Sequence, residues 1–456
     1  MAKKKQIELT IEEKLQNALV PKKEQPYKIP SNWCWSYWKY CGKFIAGNGF
    51  KNIYQGFTQY DIPYYKVGSL KFCDEGNYLI DETNTINEEI RTKLKAVKIP
   101  VNSIIFAKIG EAIKLNRRCL NKIECCIDNN LMAFISEKYF YKYIFYWTKS
   151  LNFYELTNAT TVPALRKTDL ENIPIPLPPL NEQQRIVNII ESLFAKLDRA
   201  KELIENTLAQ FEQNKMAILH KAFTGELTAK WRKENNIDLS SWQEKTIDEL
   251  CTSLKYGTSK KSKPEGSVVV LRMGNLQNGE IDWSNLMYTD DKDDIEKYLL
   301  KKGDVLFNRT NSPELVGKTS IYRGEYPAIY AGYLIKLDYG KDIIGEYLNY
   351  MMNSTKAKHY CYTVKTDGVS QSNINAKKIG AFEIPVPTIE EQQEIVNILD
   401  KLLAKYNKIK NLEQQLGKIE LLKKAILAKA FRGELGTNNP DEESAENLLK
   451  EILAEK

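Results

Sequence analysis

The amino-acid sequence predicts an α+β, multidomain chain. Two globular mixed α/β domains are separated by two long antiparallel helices and related by an internal pseudo-two-fold repeat. Three observations predict this fold class: a long segment that occurs twice, short β-type runs divided by turn residues in each half, and a heptad stripe of apolar residues after each half.

The repeated segment is the clearest feature of the chain. Residues 175–189 read IPLPPLNEQQRIVNI and residues 384–398 read IPVPTIEEQQEIVNI, which places Glu391 209 residues after Glu182. The same offset relates Trp33 to Trp242. Because this period is far longer than a solenoid repeat, it indicates two copies of a whole domain followed by a helix.

Within the first copy, short β-type runs are predicted at 62–67, 103–107 and 131–135, and a helix at 139–151. The second copy repeats this order at offsets of 206, 201 and 204 residues, counted from Tyr64 to Val270, Asn102 to Gly303 and Tyr143 to Tyr347. Since the offsets differ, the copies share a scaffold but differ in their loops, where recognition residues usually lie.

A long helix is predicted after each copy. Capping boxes at 181–184 and 388–391 would begin the two helices, and Gly225 and Gly433 would end them in matching Ala-Phe-x-Gly-Glu-Leu segments. We expect the two stripes to pair as an antiparallel coiled coil, and the alternative is that each helix packs on its own domain. The spacer and partner-docking positions are Ile186, Ile190, Leu193, Leu197, Ile204, Phe211 and Phe223 in the first helix, and Ile395, Leu399, Leu402, Tyr406, Ile409, Leu416 and Phe431 in the second.

These features divide the chain into consecutive segments. The predicted boundaries are 1–30 for an N-terminal helix and extended lead-in, 31–178 for the first domain, 179–236 for the central helical spacer, 240–387 for the second domain, 388–437 for the distal helical spacer, and 438–456 for an acidic tail.

Composition argues against several functional classes. The sequence has no apolar run long enough to cross a membrane and no signal peptide, so we expect a cytoplasmic protein. Eight cysteines form no C-x-x-C pair and there are only two histidines, so no metal site is expected. Gly317-Lys318-Thr319 lacks the earlier glycine of a phosphate-binding loop. We therefore expect a chain without catalytic, cofactor or metal residues.

The net charge of +7 is unevenly distributed. Basic stretches at 91–122 and 255–263 would face a polyanion, whereas the acidic stretch at 290–296 would face away. Basic domains held at a fixed separation suit duplex DNA, which repeats every helical turn. The DNA-binding candidates are Lys108, Lys114, Arg117 and Arg118 in the first copy, and Lys255, Lys260, Lys261, Lys263, Asn308, Arg309 and Asn311 in the second. Arg309 is the first choice as a base reader, with a strand-end salt bridge as an equal alternative for its side chain.

The chain resembles the specificity (S) subunit of type I restriction–modification systems. The resemblance is carried by the two Pro-x-Pro…Glu-Gln-Gln-x-Ile-Val-x-Ile segments, the two Ala-Phe-x-Gly-Glu-Leu helix ends and the domain openings at Trp33 and Trp242. It implies that 31–178 and 240–387 are target recognition domains, each reading one half of a bipartite, asymmetric site in double-stranded DNA. It further implies that the helices dock two methyltransferase subunits and that restriction/translocase subunits join the complex.

The resemblance also implies that chemistry belongs to the partners: S-adenosylmethionine on the methyltransferase subunits, and ATP and Mg²⁺ on the partner subunits, with no cofactor in this chain. Two alternatives stay open. The chain could be a non-catalytic protein-interaction scaffold whose basic patches bind an acidic partner, or an enzyme with an unrecognised site.

Overall fold

The computed structural model describes residues 9–136, 138–157, 162–407 and 410–455, but not the side chains of 405–407, 410, 411 and 413. The chain divides into two compact units. One comprises residues 1–202 and 415–456, and the other comprises residues 203–414. The first unit is therefore built from two separate segments of the sequence, whereas the second comes from one segment.

The first unit contains the following elements: α1 Ile11–Ala18, β1 Cys34–Tyr37, β2 Gly42–Ala46, β3 Ile62–Tyr65, β4 Thr85–Ile86, α2 Glu88–Leu94, β5 Ile104–Ala107, β6 Arg118–Leu120, β7 Cys126–Ile127, β8 Leu131–Ser136, α3 Tyr141–Ser150, α4 Lys167–Glu171 and β9 Pro174–Leu177. The helix α5, Leu180–Phe223, then begins in the first unit and ends in the second. The strands predicted at 62–67, 103–107 and 131–135 and the helix predicted at 139–151 are confirmed as β3, β5, β8 and α3.

Three sheets are formed by the described residues of the first unit. An antiparallel sheet has the order β2-β8-β5-β6, a second has the order β4-β3-β7 with β3 and β7 parallel, and β1 pairs with β9. Their core centres on Trp38, which is fully buried among Phe44, Phe134 and Trp147 at ring-centroid distances of 4.7, 5.0 and 5.0 Å. Large aromatic rings thus supply much of the buried apolar area of this unit.

The second unit repeats this plan. Its elements are α6 Ala229–Glu234, β10 Gln243–Thr246, α7 Ile247–Leu250, β11 Cys251–Tyr256, β12 Val268–Leu271, β13 Leu276–Gln277, β14 Glu280–Ile281, β15 Tyr288–Thr289, α8 Lys292–Tyr298, β16 Val305–Asn308, β17 Thr310–Asn311, β18 Thr319–Ile321, β19 Ala328–Tyr330, β20 Leu334–Tyr339, α9 Gly345–Met352, α10 Thr355–Val364, β21 Thr366–Asp367, β22 Ser372–Asn373, α11 Ala376–Gly380, β23 Glu383–Val386 and α12 Ile389–Asn407.

Three sheets of the second unit match those of the first strand for strand, and the second unit also has the small sheets β13-β14 and β17-β22-β21. The order β11-β20-β16-β18 corresponds to β2-β8-β5-β6, β15-β12-β19 corresponds to β4-β3-β7, and β10 with β23 corresponds to β1 with β9. The parallel pair is preserved as well, because β12 runs parallel to β19 as β3 does to β7. The internal repeat predicted from the sequence is therefore a repeat of the fold.

The first helical segment is as long as the sequence predicts. The helix α5 has 44 residues, and at ~1.5 Å per residue it is about 66 Å long. The distal segment comprises α12 and α13 Lys410–Phe431. Gly225 and Gly433 adopt φ values of +79° and +73° after the two helix ends, which is the left-handed conformation that favours glycine there.

The predicted capping boxes are only partly correct. Thr388 does accept a hydrogen bond from the Glu391 amide at 3.3 Å. In the first helix, Asn181 lies inside α5, which begins at Leu180. The Gln184 side chain donates to Asn188 at 2.8 Å instead of turning back to a cap.

The apolar stripe has two different environments, so neither packing alternative is sufficient. Ile186 and Ile190 are buried in the core of the first unit, and Ile395 and Leu399 in that of the second, so the first turns of both helices pack on the globular core. Leu193, Leu197, Ile204, Phe211, Leu402 and Leu416 are half-buried. Ile409 and the Tyr406 side chain lie outside the described residues.

Helix pairing is also present within the first unit. Lys423 of α13 forms an ion pair with Asp198 at 2.5 Å and lies over the Phe194 ring at 5.3 Å, both on α5. Farther along, Thr437 bonds Glu182 near the start of α5. The two contacts are in opposite order along the two segments, so these portions of the helices run antiparallel.

The acidic tail contains a helix that is packed on the first unit. In α14, Ala445–Ala454, four apolar residues are buried in the first unit's core, and the helix lies against α1. Arg185 holds the preceding loop by a bidentate ion pair with Glu442, both bonds being 2.7 Å. The apolar face of α14 is therefore part of the fold.

Candidate nucleic-acid interface and helix junctions

One strand end carries a cation in both copies. Lys108 follows β5 and Arg309 follows β16, and their backbones make the same bonds. The Lys108 amide donates to the Asn130 carbonyl at 2.9 Å, and the Arg309 amide donates to the Tyr333 carbonyl at 3.0 Å. The Lys108 carbonyl accepts from the Leu165 amide and the Arg309 carbonyl accepts from the Ile374 amide, both at 2.8 Å. Lys108 and Arg309, two of the predicted DNA-binding residues, therefore occupy equivalent positions.

A second strand end carries another equivalent pair. Lys66 follows β3 and Arg272 follows β12, and each backbone amide donates to the side chain three residues later. The acceptor is the Ser69 hydroxyl at 3.0 Å for Lys66 and Asn275 Oδ1 at 2.9 Å for Arg272. Neither cation was among the sequence candidates, although the offset of 206 residues that aligns Tyr64 with Val270 also aligns Lys66 with Arg272.

Both cations of a copy flank the same loop. In the second unit, the Leu271 carbonyl beside Arg272 accepts from the Ala331 amide at 2.9 Å, and Arg309 Nη1 donates to the Gly332 carbonyl at 3.3 Å. In the first unit, the Tyr65 carbonyl beside Lys66 accepts from the Asp128 amide at 3.0 Å. Thus Asp128 in the first copy stands where Ala331 stands in the second.

That exchange changes the electrostatics of the strand ends. Burial raises the pKa of Asp128, and the charges of Lys66 and Lys108 oppose that shift. The second copy has no carboxylate at the equivalent position. Among the described residues, no carboxylate forms an ion pair with Arg272 or Arg309, so the predicted alternative of a strand-end salt bridge for Arg309 is not observed.

The Arg309 guanidinium is held by weak neutral contacts. It lies 4.8 Å from the centre of the Tyr256 ring, and Nη2 donates to Asn373 Oδ1 at 3.3 Å. Its Nε, like that of Arg272, is buried and has no hydrogen-bond partner in the described part of the chain. Tyr256 and Tyr333 are 40% and 49% exposed beside it, so the cation lies in a partly open, aromatic surface.

The other first-copy candidates have different surroundings. Lys114 forms an ion pair with Glu111 at 2.7 Å, and Arg117 is exposed. Arg118 is 3% exposed; its Nη2 donates to the Leu151 carbonyl at 3.0 Å, its guanidinium lies over the Phe153 ring at 3.7 Å, and burial lowers its pKa to about 9. Because it has no surface to offer to DNA, we withdraw Arg118 from the candidates.

Two of the four second-copy lysines form ion pairs with neighbouring carboxylates. Lys255 pairs with Asp338 at 3.0 Å, and Lys260 pairs with Asp291 at 2.7 Å, which raises the pKa of Lys260. Hydrogen bonds from Ser267 lower the pKa of the Asp290 carboxyl, and the charge of Lys263 lowers it further, whereas Lys261 is exposed. The acidic stretch therefore lies beside the basic run, contrary to the expectation that it faces away.

The two candidate asparagines also differ. Asn308 is fully buried and its Oδ1 accepts from the Thr310 amide at 3.2 Å, so it shapes the strand end. Asn311 is half-buried on β17, and its Oδ1 accepts from the Ser312 amide at 2.9 Å. Its amide nitrogen carries no hydrogen bond within the described residues, so Asn311 stays among the candidates.

The repeated Glu-Gln-Gln segments form the junction between each helix and its unit. Trp33 Nε1 donates to Glu182 at 2.8 Å, and Trp242 Nε1 donates to Glu391 at 2.9 Å. The Thr437 hydroxyl donates to Glu182 at 3.0 Å, and the Thr228 hydroxyl donates to Glu391 at 2.6 Å. In each case a residue that follows one long helix is hydrogen-bonded to the first turn of the other.

The next glutamine and a buried tyrosine complete each junction. Gln183 and Gln392 accept from the amides of Phe140 and Ile344 at 3.1 and 2.8 Å, and each donates to a proline carbonyl at 3.0 Å.

The rings at the helix ends pack on equivalent tyrosines: Phe431 lies 5.4 Å from Tyr143, and Phe223 lies 5.3 Å from Tyr347. The sequence repeat is thus a repeat of one structural joint.

The described residues contain no group of three or more His, Cys, Asp or Glu placed to hold a metal ion. Within the same residues, no helix is long and apolar enough to cross a membrane.

Comparison with known proteins assigns the family. The model of the type I restriction modification DNA specificity domain matches residues 52–210 and again residues 240–420. This chain belongs to that family.

Individual relatives agree with this assignment. The chain is similar to the EcoKI specificity subunit of Escherichia coli strain K12, with 30% identity over 317 residues, 66% of this chain and 68% of that one. It is 29% identical over 335 residues to the StySPI specificity subunit of Salmonella potsdam, covering 69% of this chain and 71% of that one. The chain is also similar to a solved structure from a study of complex assembly and conformational transition of the type I R-M system. The alignment spans 90% of this chain and 100% of the other, with a TM-score of 0.66 and 19% identity. This similarity confirms the fold of the type I specificity protein.

Proposed function

We propose that this specificity chain reads a bipartite, asymmetric site in double-stranded DNA, with one half-site read by each copy. The observation that carries the proposal is the pair of strand ends that keep one backbone arrangement but exchange side chains, Lys66 and Lys108 in one copy for Arg272 and Arg309 in the other. A shared frame with different cations suits two domains that read different base sequences.

The helices supply a second part of the proposal, which is the docking of methyltransferase subunits. Gln184 donates to Asn188 at 2.8 Å, and Gln393 donates to Asn397 at 3.1 Å. All four side chains are exposed. Identical exposed pairs in two copies fit two molecules of one partner, because each molecule would meet the same surface.

The chemistry would lie on the partners. The methyltransferase subunits would bring S-adenosylmethionine, and the restriction/translocase subunits would use ATP and Mg²⁺. Incubating the pure chain with DNA and these three compounds should give neither methylation nor cleavage, and adding methyltransferase subunits should restore methylation. Modification by the chain alone would contradict a non-catalytic role.

The recognition proposal is tested on the chain assembled with its own methyltransferase subunits. Sequencing DNA that this complex has methylated should give one motif made of two unlike half-sites around an unspecified gap. The logarithm of affinity for that motif should fall with the logarithm of salt concentration by about 0.9 for each phosphate neutralised. A single contiguous motif, or no motif, would overturn the proposal.

A further inference from the structure

The second unit has three arginines within residues 240–387, and they fall into two classes. Arg323 is paired with Glu280 at 2.8 Å and with Glu346 at 3.6 Å. Arg272 and Arg309 form no ion pair with a carboxylate among the described residues, and both flank the loop at 331–333. One class is thus neutralised within the fold, and the other is not.

The unneutralised arginines show signs of an absent partner. Each has a buried Nε without a hydrogen-bond partner in the described part of the chain, and native proteins leave few such atoms unsatisfied. The Arg309 bonds to Gly332 and Asn373 are both 3.3 Å, long for a charged donor. An arginine placed on the Tyr256 ring keeps its planar fork oriented while its donors are only weakly used.

We infer that Arg309, oriented on Tyr256 and with Arg272 beside the same loop, recognises a guanine in the half-site read by the second copy. The inference rests on the proposed function. Guanine presents O6 and N7 in the major groove as adjacent acceptors, which match the parallel N–H groups of a guanidinium. The exposed Tyr256 and Tyr333 and the half-buried Asn311 would surround that contact.

The first copy is different at the same place. Lys66 and Lys108 replace the arginines, and Asp128 stands between them where the second copy has Ala331. A lysine is a single flexible point charge without the planar fork of arginine. The first copy therefore offers lysines instead of arginines to its own half-site, and changes at Arg309 should leave that half-site untouched.

The matched experiment compares Arg309→Lys with Arg323→Gln in the full chain bound to its methyltransferase subunits. Both complexes are presented with a randomised duplex library, and the selected motifs are sequenced. We expect Arg309→Lys to reduce the preference for guanine at one position of one half-site on the order of ten-fold, since a bidentate contact discriminates by ~1–3 kcal/mol. Arg323→Gln removes a neutralised cation that follows β18 and lies near the start of β16, whereas Arg309 follows the end of β16. This variant should leave the motif unchanged.

The other half-site is the internal folding control, because a misfolded complex would lose both halves. A motif identical to that of the wild-type chain, a change at an A·T pair, or a change in both half-sites would overturn the inference while leaving the proposed function intact. Uniform weakening across all sequences, with a reduced salt slope, would show that Arg309 contacts phosphate and would equally overturn it. If the wild-type complex selects no bipartite motif, the proposed function itself fails.

Discussion

The indole N–H of Trp242 donates to the buried carboxylate of Glu391 across 2.9 Å, and the corresponding bond from Trp33 to Glu182 is 2.8 Å in the other copy. These bonds attach the first strand of each unit to the first turn of its long helix. The two junctions differ in one respect, since Arg232 forms an ion pair with Glu391 at 2.5 Å, whereas Glu182 accepts from the neutral Thr437 and Asn438.

That difference predicts unequal effects of the same substitution. Glu391→Gln leaves the Arg232 guanidinium buried without its counter-charge, which should lower the free energy of unfolding by ~3–5 kcal/mol. Glu182→Gln weakens hydrogen bonds to neutral donors and should cost about 1–3 kcal/mol. Denaturant unfolding followed by tryptophan fluorescence compares the two variants; equal effects, or a larger effect at Glu182, would contradict this description of the junctions.

The aromatic rings at the helix ends should be structural. Phe431 is 2% exposed and Phe223 is 9% exposed, so truncating either to Ala should destabilise its unit by ~3–5 kcal/mol. Leu421, which is 65% exposed on α13, is the control, and its change to Ala should alter the unfolding free energy by less than about 0.5 kcal/mol. If the melting temperatures of all three variants equal that of the wild-type protein, these rings do not stabilise the helix ends.

Lys149 should make the stability of the first unit depend on pH. Burial lowers its pKa from 10.5 to about 8, so between these values the unfolded chain binds more protons than the folded one. The free energy of unfolding should therefore rise with pH across that interval. The difference between the wild-type protein and Lys149→Met isolates this contribution from other groups, and it should grow in favour of the wild-type protein from pH 8 to 10.5. A flat trend would show that Lys149 keeps an ordinary pKa and an opposite trend that folding raises it, and either result would contradict the lowered value.

The proposed spacer role predicts a change of distance without a change of sequence. Seven residues inserted into α5 and seven into the distal helical segment preserve the heptad phase and add ~10 Å, which is about three base pairs at ~3.4 Å each. The methylated motif should keep both half-sites and gain about that number of unspecified positions. Altered half-sites with an unchanged gap would mean that the helices do not set the distance.

Much of this architecture follows from the sequence because periodicity is a strong signal. The apolar stripe predicted the length of α5, and the glycines at 225 and 433 marked where both helices end. The repeat predicted two copies of one fold, and the paired sheets confirm it. Local rules were sufficient for these features.

Long-range contacts were less predictable. Glu391 was interpreted as a capping residue, because a carboxylate in a first helical turn usually serves its own helix, yet its partners are 149, 159 and 163 residues away. The acidic tail hid an apolar face that packs on the opposite end of the chain. Charge density selected Arg118 and Lys260, which the fold buries or neutralises, and it missed Arg272, which stands alone in sequence.

The most direct test replaces residues 240–387 with the matching segment of another type I specificity protein and sequences the methylated DNA. Each copy is proposed to read its own half-site, so one half of the motif should change to that of the donor while the other half and the gap stay the same. A motif in which both halves change, or in which neither half changes, would contradict the proposal that each copy of the chain reads its half-site independently.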